Sequence, residues 1–156
     1  KHIRIIASGK NTSGFDMIRM IALGADVIHS ARAMMLALGC IQSKQCGNNT
    51  CPVGVATQNP RLFKQLDIED KAERVYNYHT ATVKNFVELV GAMGLANPSD
   101  ILPSSVMRRI SDHEVRYFDE IYDFIESGCL LNDATIPARY RRFWEAATPD
   151  TFSFVH

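Results

Sequence analysis

The sequence predicts an α/β protein: a β-α-β-α unit first, then an irregular cysteine-bearing loop, then a mainly helical extension. Three observations predict it. Short apolar runs, Ile3–Ala7 (IRIIA) and Asp26–Ser30 (DVIHS), alternate with segments of helical period. Glycines close the helical segments at Gly24 and Gly39. Three cysteines, Cys40, Cys46 and Cys51, crowd into one polar stretch, and Pro52 follows the third at once.

Each element has its own cause. Ile3–Ala7 is nearly continuous in apolar residues, as a buried parallel strand is. Ser8-Gly9-Lys10 ends it, and Thr12 or Ser13 caps a helix whose packing face carries Phe15, Ile18, Met20, Ile21, Ala22 and Leu23. Asp26–Ser30 is the second strand, and Ala31 to Leu38 the second helix. Two strands joined by a helix are expected to lie parallel. The cysteine loop spans residues 40–60 and closes on the connector Thr57-Gln58-Asn59-Pro60.

Residues 61–131 are expected to be helical. Glu69 to Met93 reads as one long helix with an apolar stripe of Ala72, Val75, Tyr76, His79, Val83, Phe86, Val87 and Val90. A turn at Asn97-Pro98-Ser99-Asp100 precedes a short helical piece through Val106 and Ile110. His113 to Ile125 then reads as an amphipathic helix with Val115, Phe118, Ile121, Tyr122 and Ile125 inward. The tail, 132–156, carries two prolines and a basic-aromatic run, Arg139 to Trp144, and is expected to be weakly structured or docked on a partner.

Bulk properties narrow the function. Lys plus Arg equals Asp plus Glu, 17 against 17, so the chain lacks the basic excess that a nucleic-acid or membrane surface wants. No apolar run approaches the length that spans a bilayer. Four cysteines, three of them clustered, suggest metal chemistry in a reducing compartment, the cytoplasm, and not a disulfide framework. The chain begins with Lys1 and enters a strand at once, as the C-terminal part of a longer polypeptide would.

Two stretches carry candidate chemistry. Three thiolates so close in sequence face one metal centre only on an irregular loop, and a Cys-Pro step turns the chain away from an iron–sulfur cluster. Three cysteines suit a three-iron cluster, or a four-iron cluster with one outside ligand. A structural zinc site completed by a histidine such as His79 is the alternative, though CxxC pairs are missing. The second stretch is the pair of strand ends, Ser8-Gly9-Lys10 and Ser30-Ala31-Arg32. Gly9 admits close backbone approach to an oxygen, Arg32 offers a bidentate guanidinium and Lys10 a point charge, as a phosphate site requires. The same pattern also fits a plain turn with a solvated arginine. Cys129 is expected to be a bystander thiol and His29 a local hydrogen-bonding group. No arrangement of nucleophile, base and acid stands out, so no catalytic residue is assigned.

The stretch from IIASGKNTSGFDM through ALGCIQSKQCGNNTCPVGVATQNP resembles the FMN-binding domain of glutamate synthase. The likeness continues more weakly through RVYNYHTATVKNFVELVGAMG and LPSSVMRRI. It implies that residues 1–39 are the last two β/α units of an FMN-binding (β/α)8 TIM barrel. It implies that Cys40, Cys46 and Cys51 ligate a [3Fe-4S] cluster, and that Gly9 with the Ser30–Arg32 turn holds the FMN phosphate. The implied reaction is reductive formation of glutamate from 2-oxoglutarate and ammonia, free or glutamine-derived, with electrons arriving from a donor protein. Where many members of the family carry His after the second cysteine, this chain has Gly47. Six strands are missing, so the rest of the barrel is an expected partner, and the isolated chain is expected to be inactive and to self-associate through its strand edges. An electron-transfer or assembly module, or a zinc-stapled structural domain, is the alternative reading.

Overall fold

The computed structural model describes residues 3–151; the last five residues of the expected tail lie outside them. The chain divides into two compact units at the Phe118–Asp119 boundary.

The first unit opens as β1 (Ile6–Ser8), α1 (Gly14–Ala22), β2 (Val27–His29) and α2 (Arg32–Ala37). β1 and β2 pair in parallel, Ile6 with Val27 and Ser8 with His29. Helix α3 (Pro60–Phe63) and the long α4 (Ile68–Ala92) follow the cysteine loop. α1 and α2 both pack on α4. The approach of α1 is close: a Cβ added at Gly14 would lie 2.6 Å from the Phe86 backbone nitrogen. Ile18, Ala22, Ala33, Phe86 and Val90 form the buried core at these crossings.

Ser13 caps α1, and Asp16 completes a capping box by accepting from the Ser13 N–H. Burial alone would raise the Asp16 carboxyl. Hydrogen bonds from the Thr12 N–H, both hydroxyls and the Ser13 N–H outweigh it and hold the group below its ordinary value. Asp67 caps α4 by accepting from the N–H groups of Glu69 and Asp70.

The two-stranded sheet covers one face only. Ala7 and Ile28 are half-buried, whereas Ile6 (67% exposed) and Val27, its neighbour across the pair, look out. Among the described residues the fold is mixed α/β and no closed barrel is formed. No helix among them is long and apolar enough to cross a membrane.

The extension departs from expectation. Residues 107–117 form an antiparallel hairpin, β3 (Met107–Ser111) and β4 (Glu114–Tyr117), where helices were expected. Ser111 pairs with Glu114, so Asp112 and His113 make a two-residue connection. Val115, expected inward, is exposed, while Phe118 is buried as expected. Phe118 also begins α5 (Phe118–Ile121), far shorter than the helix expected from His113 to Ile125. The expected stripe of α4 holds in part: Phe86 and Val90 are buried and Val75 half-buried, whereas Ala72, Tyr76, His79, Val83 and Val87 are exposed, and Tyr78 and Thr82, outside the stripe, are half-buried.

In the second unit, helix α6 (Ala138–Ala146) forms within the tail that was expected to be weakly structured. Arg139 pairs with Asp123 and stacks on Tyr140, and Arg141 donates to the Asp133 carbonyl. Ile136 is buried and Cys129 half-buried.

Candidate cofactor turn and cysteine loop

The two strand ends come together as a consequence of parallel pairing. Ser8 is the register partner of His29, so Ser8-Gly9-Lys10 and Ser30-Ala31-Arg32 leave neighbouring strands at one level. Gly9 has φ +141° and Lys10 φ +60°. Glycine adopts such a φ freely and, lacking a Cβ, leaves the backbone open to close approach by an oxygen. Lys10 adopts this conformation without glycine's freedom, at a cost on the order of 1–3 kcal/mol of the type that functional sites retain. Ser8, Gly9, Lys10, Ala31 and Arg32 are all exposed, and Arg32 opens α2. Ser30 is half-buried, and its hydroxyl donates to the Asn11 carbonyl at 2.6 Å. Its only proton is thus engaged within the protein. Asn11, which sequence reasoning passed over, is buried and donates its side-chain N–H to the His29 carbonyl at 3.2 Å. His29 itself is exposed at the end of β2.

The N-terminus of α1 is closed to an anion by the Asp16 carboxylate, which already takes the Thr12 and Ser13 donors. The strand-end turns and the Arg32 side chain remain as the electropositive features of this edge.

The cysteine loop starts where α2 stops. The Gly39 N–H donates to the Leu36 carbonyl and the Cys40 N–H to the Met35 carbonyl, the two bonds of a Schellman ending. That motif fixes where Cys40 leaves the helix. The Gln42 N–H donates to the Cys40 sulfur at 3.4 Å. Cys46 begins a 3-10 turn, Cys46–Asn48. Asn49, at φ +65°, holds the loop shut: its side-chain oxygen accepts from the Gln58 N–H and the Thr57 hydroxyl, and its carbonyl from the same hydroxyl at 2.7 Å. Asparagine tolerates this left-handed conformation, which is why the Gly-Asn-Asn-Thr run suits the turn.

Cys51 is buried (5% exposed) and Cys46 exposed. The Ala56 N–H is the main group lowering the Cys51 thiol. Burial works against it, and the N–H groups of Val53, Val55 and Gly54 assist it. A sulfur surrounded by backbone donors is an environment for a thiolate. All four non-glycine residues with positive φ among the described residues fall in these two places: Lys10, then Gln42, Lys44 and Asn49.

The donor set and its backbone fit a thiolate-bound cluster: three free cysteines on a contorted loop, with N–H groups directed at sulfur. The three sulfurs are not gathered into one metal-binding group among the described residues. His79 lies on α4, exposed, beside a cavity of about 140 Å³ that Asn11, Ser30, Tyr78 and Thr82 also line. The expectation that it is a core histidine does not hold, because α4 presents Tyr78 to the packed side instead.

Comparison with known proteins covers the stretch that carries the turn and the loop. A model of the conserved region in glutamate synthase matches residues 1–96. The glutamate synthase large subunit-like protein YerD of Bacillus subtilis is 37% identical over 124 residues, 79% of this chain and 24% of that protein. An archaeal glutamate synthase [NADPH] of Methanocaldococcus jannaschii is 44% identical over 93 residues, 60% of this chain and 18% of its own length. An archaeal-type glutamate synthase [NADPH] of Thermotoga sp. (strain RQ2) is 35% identical over 112 residues, 70% and 22% respectively. The chain therefore spans about a quarter or less of the length of these relatives.

Proposed function

We propose, for a chain that belongs to the glutamate synthase family, that it forms the flavin-phosphate and cluster-bearing part of an FMN-dependent, glutamate synthase-like oxidoreductase. One observation carries the proposal. A single short helix, α2, joins the phosphate-type turn to the cysteine loop, so Arg32 and Cys40 sit at its two ends. Six residues at 1.5 Å each make that helix ~9 Å long. A flavin phosphate and a cluster, each bound as proposed, would thereby be tethered about one short helix apart.

Gly9, Lys10 and Arg32 would hold the FMN phosphate, the guanidinium through two parallel hydrogen bonds. Cys40, Cys46 and Cys51 would hold the [3Fe-4S] cluster, with Asn49 fixing the loop that presents them. When bound, the flavin supplies hydride transfer to the imine of 2-oxoglutarate and ammonia, and the cluster supplies one-electron transfer. Arg32 and the strand-end backbone anchor; Cys51, buried beneath its own N–H donors, is the ligand best shielded from water. The uncovered face of β1 and β2, with Ile6 and Val27, would point into the interior of a (β/α)8 barrel, and the remaining strands would continue the sheet from the edges of the pair. No residue described here is assigned to the chemical step. Electrons would come from a donor protein, and ammonia from solution or from glutamine.

The test is glutamate formation by the full-length protein from 2-oxoglutarate, ammonia and a reductant, compared with protein stripped of FMN. FMN-dependent glutamate supports the proposal; a protein whose glutamate formation ignores FMN refutes it.

A further inference from the structure

We infer that Asn11 and Ser30 form a strap that sets the spacing of the phosphate cradle, which makes Asn11 a positioning residue for flavin phosphate; this rests on the phosphate reading above. The backbone ladder between β1 and β2 ends at the Ser8–His29 pair. Beyond it the chains diverge into α1 and α2, and the anion-facing groups lie in this divergent stretch. Two hydrogen bonds continue the connection there. The Asn11 side chain donates to the His29 carbonyl at 3.2 Å, and the Ser30 hydroxyl donates to the Asn11 carbonyl at 2.6 Å. Each crosses from one turn to the other.

The strap is costly to build, which argues that it serves something. Asn11 is 3% exposed, and its side-chain oxygen is buried without a protein partner. An apolar residue would fill this place between α1 and β2 at lower desolvation cost. What an apolar residue lacks is a link to His29. Asn11 follows Lys10 directly and Ser30 precedes Ala31-Arg32, so the strap lies one residue behind the cradle on one side and two behind Arg32 on the other. Loosening it lets the Gly9–Lys10 backbone drift from the Arg32 guanidinium, and a phosphate bridging both loses one or the other. Ser30 accordingly acts through Asn11 and not by donating its hydroxyl to phosphate.

The test uses full-length apo-protein titrated with FMN and with riboflavin, which has the same ring without the phosphate. Wild type, Asn11→Ala, Ser30→Ala and Ser30→Thr are compared, with thermal unfolding measured alongside. Asn11→Ala and Ser30→Ala are expected to weaken FMN by roughly five- to tenfold, the upper part of the range for one net hydrogen bond lost. Riboflavin affinity should hold within about twofold, and Ser30→Thr should restore FMN binding. If Asn11→Ala does not fold, Ser30→Ala carries the test. Parallel loss of FMN and riboflavin would make the strap a general fold element and overturn the inference, as would unchanged FMN affinity. A wild type that does not distinguish FMN from riboflavin overturns the phosphate reading itself, and the strap with it.

Discussion

Replacing Gly54 with alanine tests whether the cysteine loop is as tightly built as its geometry requires. Gly54 follows Cys51 by three residues and donates its N–H to the Cys51 carbonyl at 3.2 Å. Its φ is +75°, which costs an L-residue roughly 1–2 kcal/mol. A Cβ there would lie 2.5 Å from the Leu62 carbonyl oxygen and 3.0 Å from the Phe63 Cα. Both are backbone atoms of α3 and cannot rotate aside, so the overpacking adds about 1–3 kcal/mol. Together the loop should lose about 2–5 kcal/mol of local stability, ~30-fold or more in opening, since about 1.4 kcal/mol is tenfold. Hydrogen exchange of a peptide covering residues 49–66 in the full-length protein reads this directly. Gly47→Ala is the control, because nothing lies within 4 Å of its Cβ position, and it should stay within about 0.5 kcal/mol of wild type. Equal exchange in the two variants would refute the packing argument for the loop.

Three further outcomes are expected. Cys46→Ser should abolish cluster assembly, because serine is a harder, far less acidic ligand and a three-thiolate site has none spare; iron and sulfide analysis of the purified variant checks it. Arg32→Ala should weaken FMN binding by about 1.5–3 kcal/mol with little effect on unfolding, as expected for an exposed residue making charge-assisted bonds to phosphate; fluorescence titration decides it. Asp16 has a folded pKa below its unfolded value. Its stabilisation of α1 is therefore present above the unfolded pKa, roughly 3.9, and is lost as pH falls through the lower folded value. Acid unfolding of wild type and Asp16→Asn should converge at low pH and diverge above about pH 4, with wild type the more stable.

The β-α-β-α order was legible because its signals are local. Ser13 announces its cap, and apolar runs of strand length are bounded by turn residues. The cysteine spacing and the two strand-end turns were legible for the same reason. The hairpin was not. Val115, Phe118, Ile121, Tyr122 and Ile125 satisfy a helical period by coincidence, and the Asp112-His113 connection lacks the glycine that usually marks a two-residue turn. On α4 the inward Phe86 and Val90 were legible from their spacing, but Tyr78, which reaches the Thr12 carbonyl at 2.7 Å, takes the packed side where the period points to His79. Asn11 was invisible for a different reason: its role depends on partners 18 and 19 residues away, and sequence spacing carries no sign of that. Asn49 is the same case on a smaller scale, with partners eight and nine residues on.

The most direct test of the account is the cofactor content of the full-length protein purified without air. The account predicts flavin absorption bands over a broad sulfide-to-iron shoulder. It also predicts bound FMN, with iron and acid-labile sulfide in the proportion of a three-iron, four-sulfide cluster. A colourless protein holding zinc, or one holding neither metal nor flavin, would contradict it.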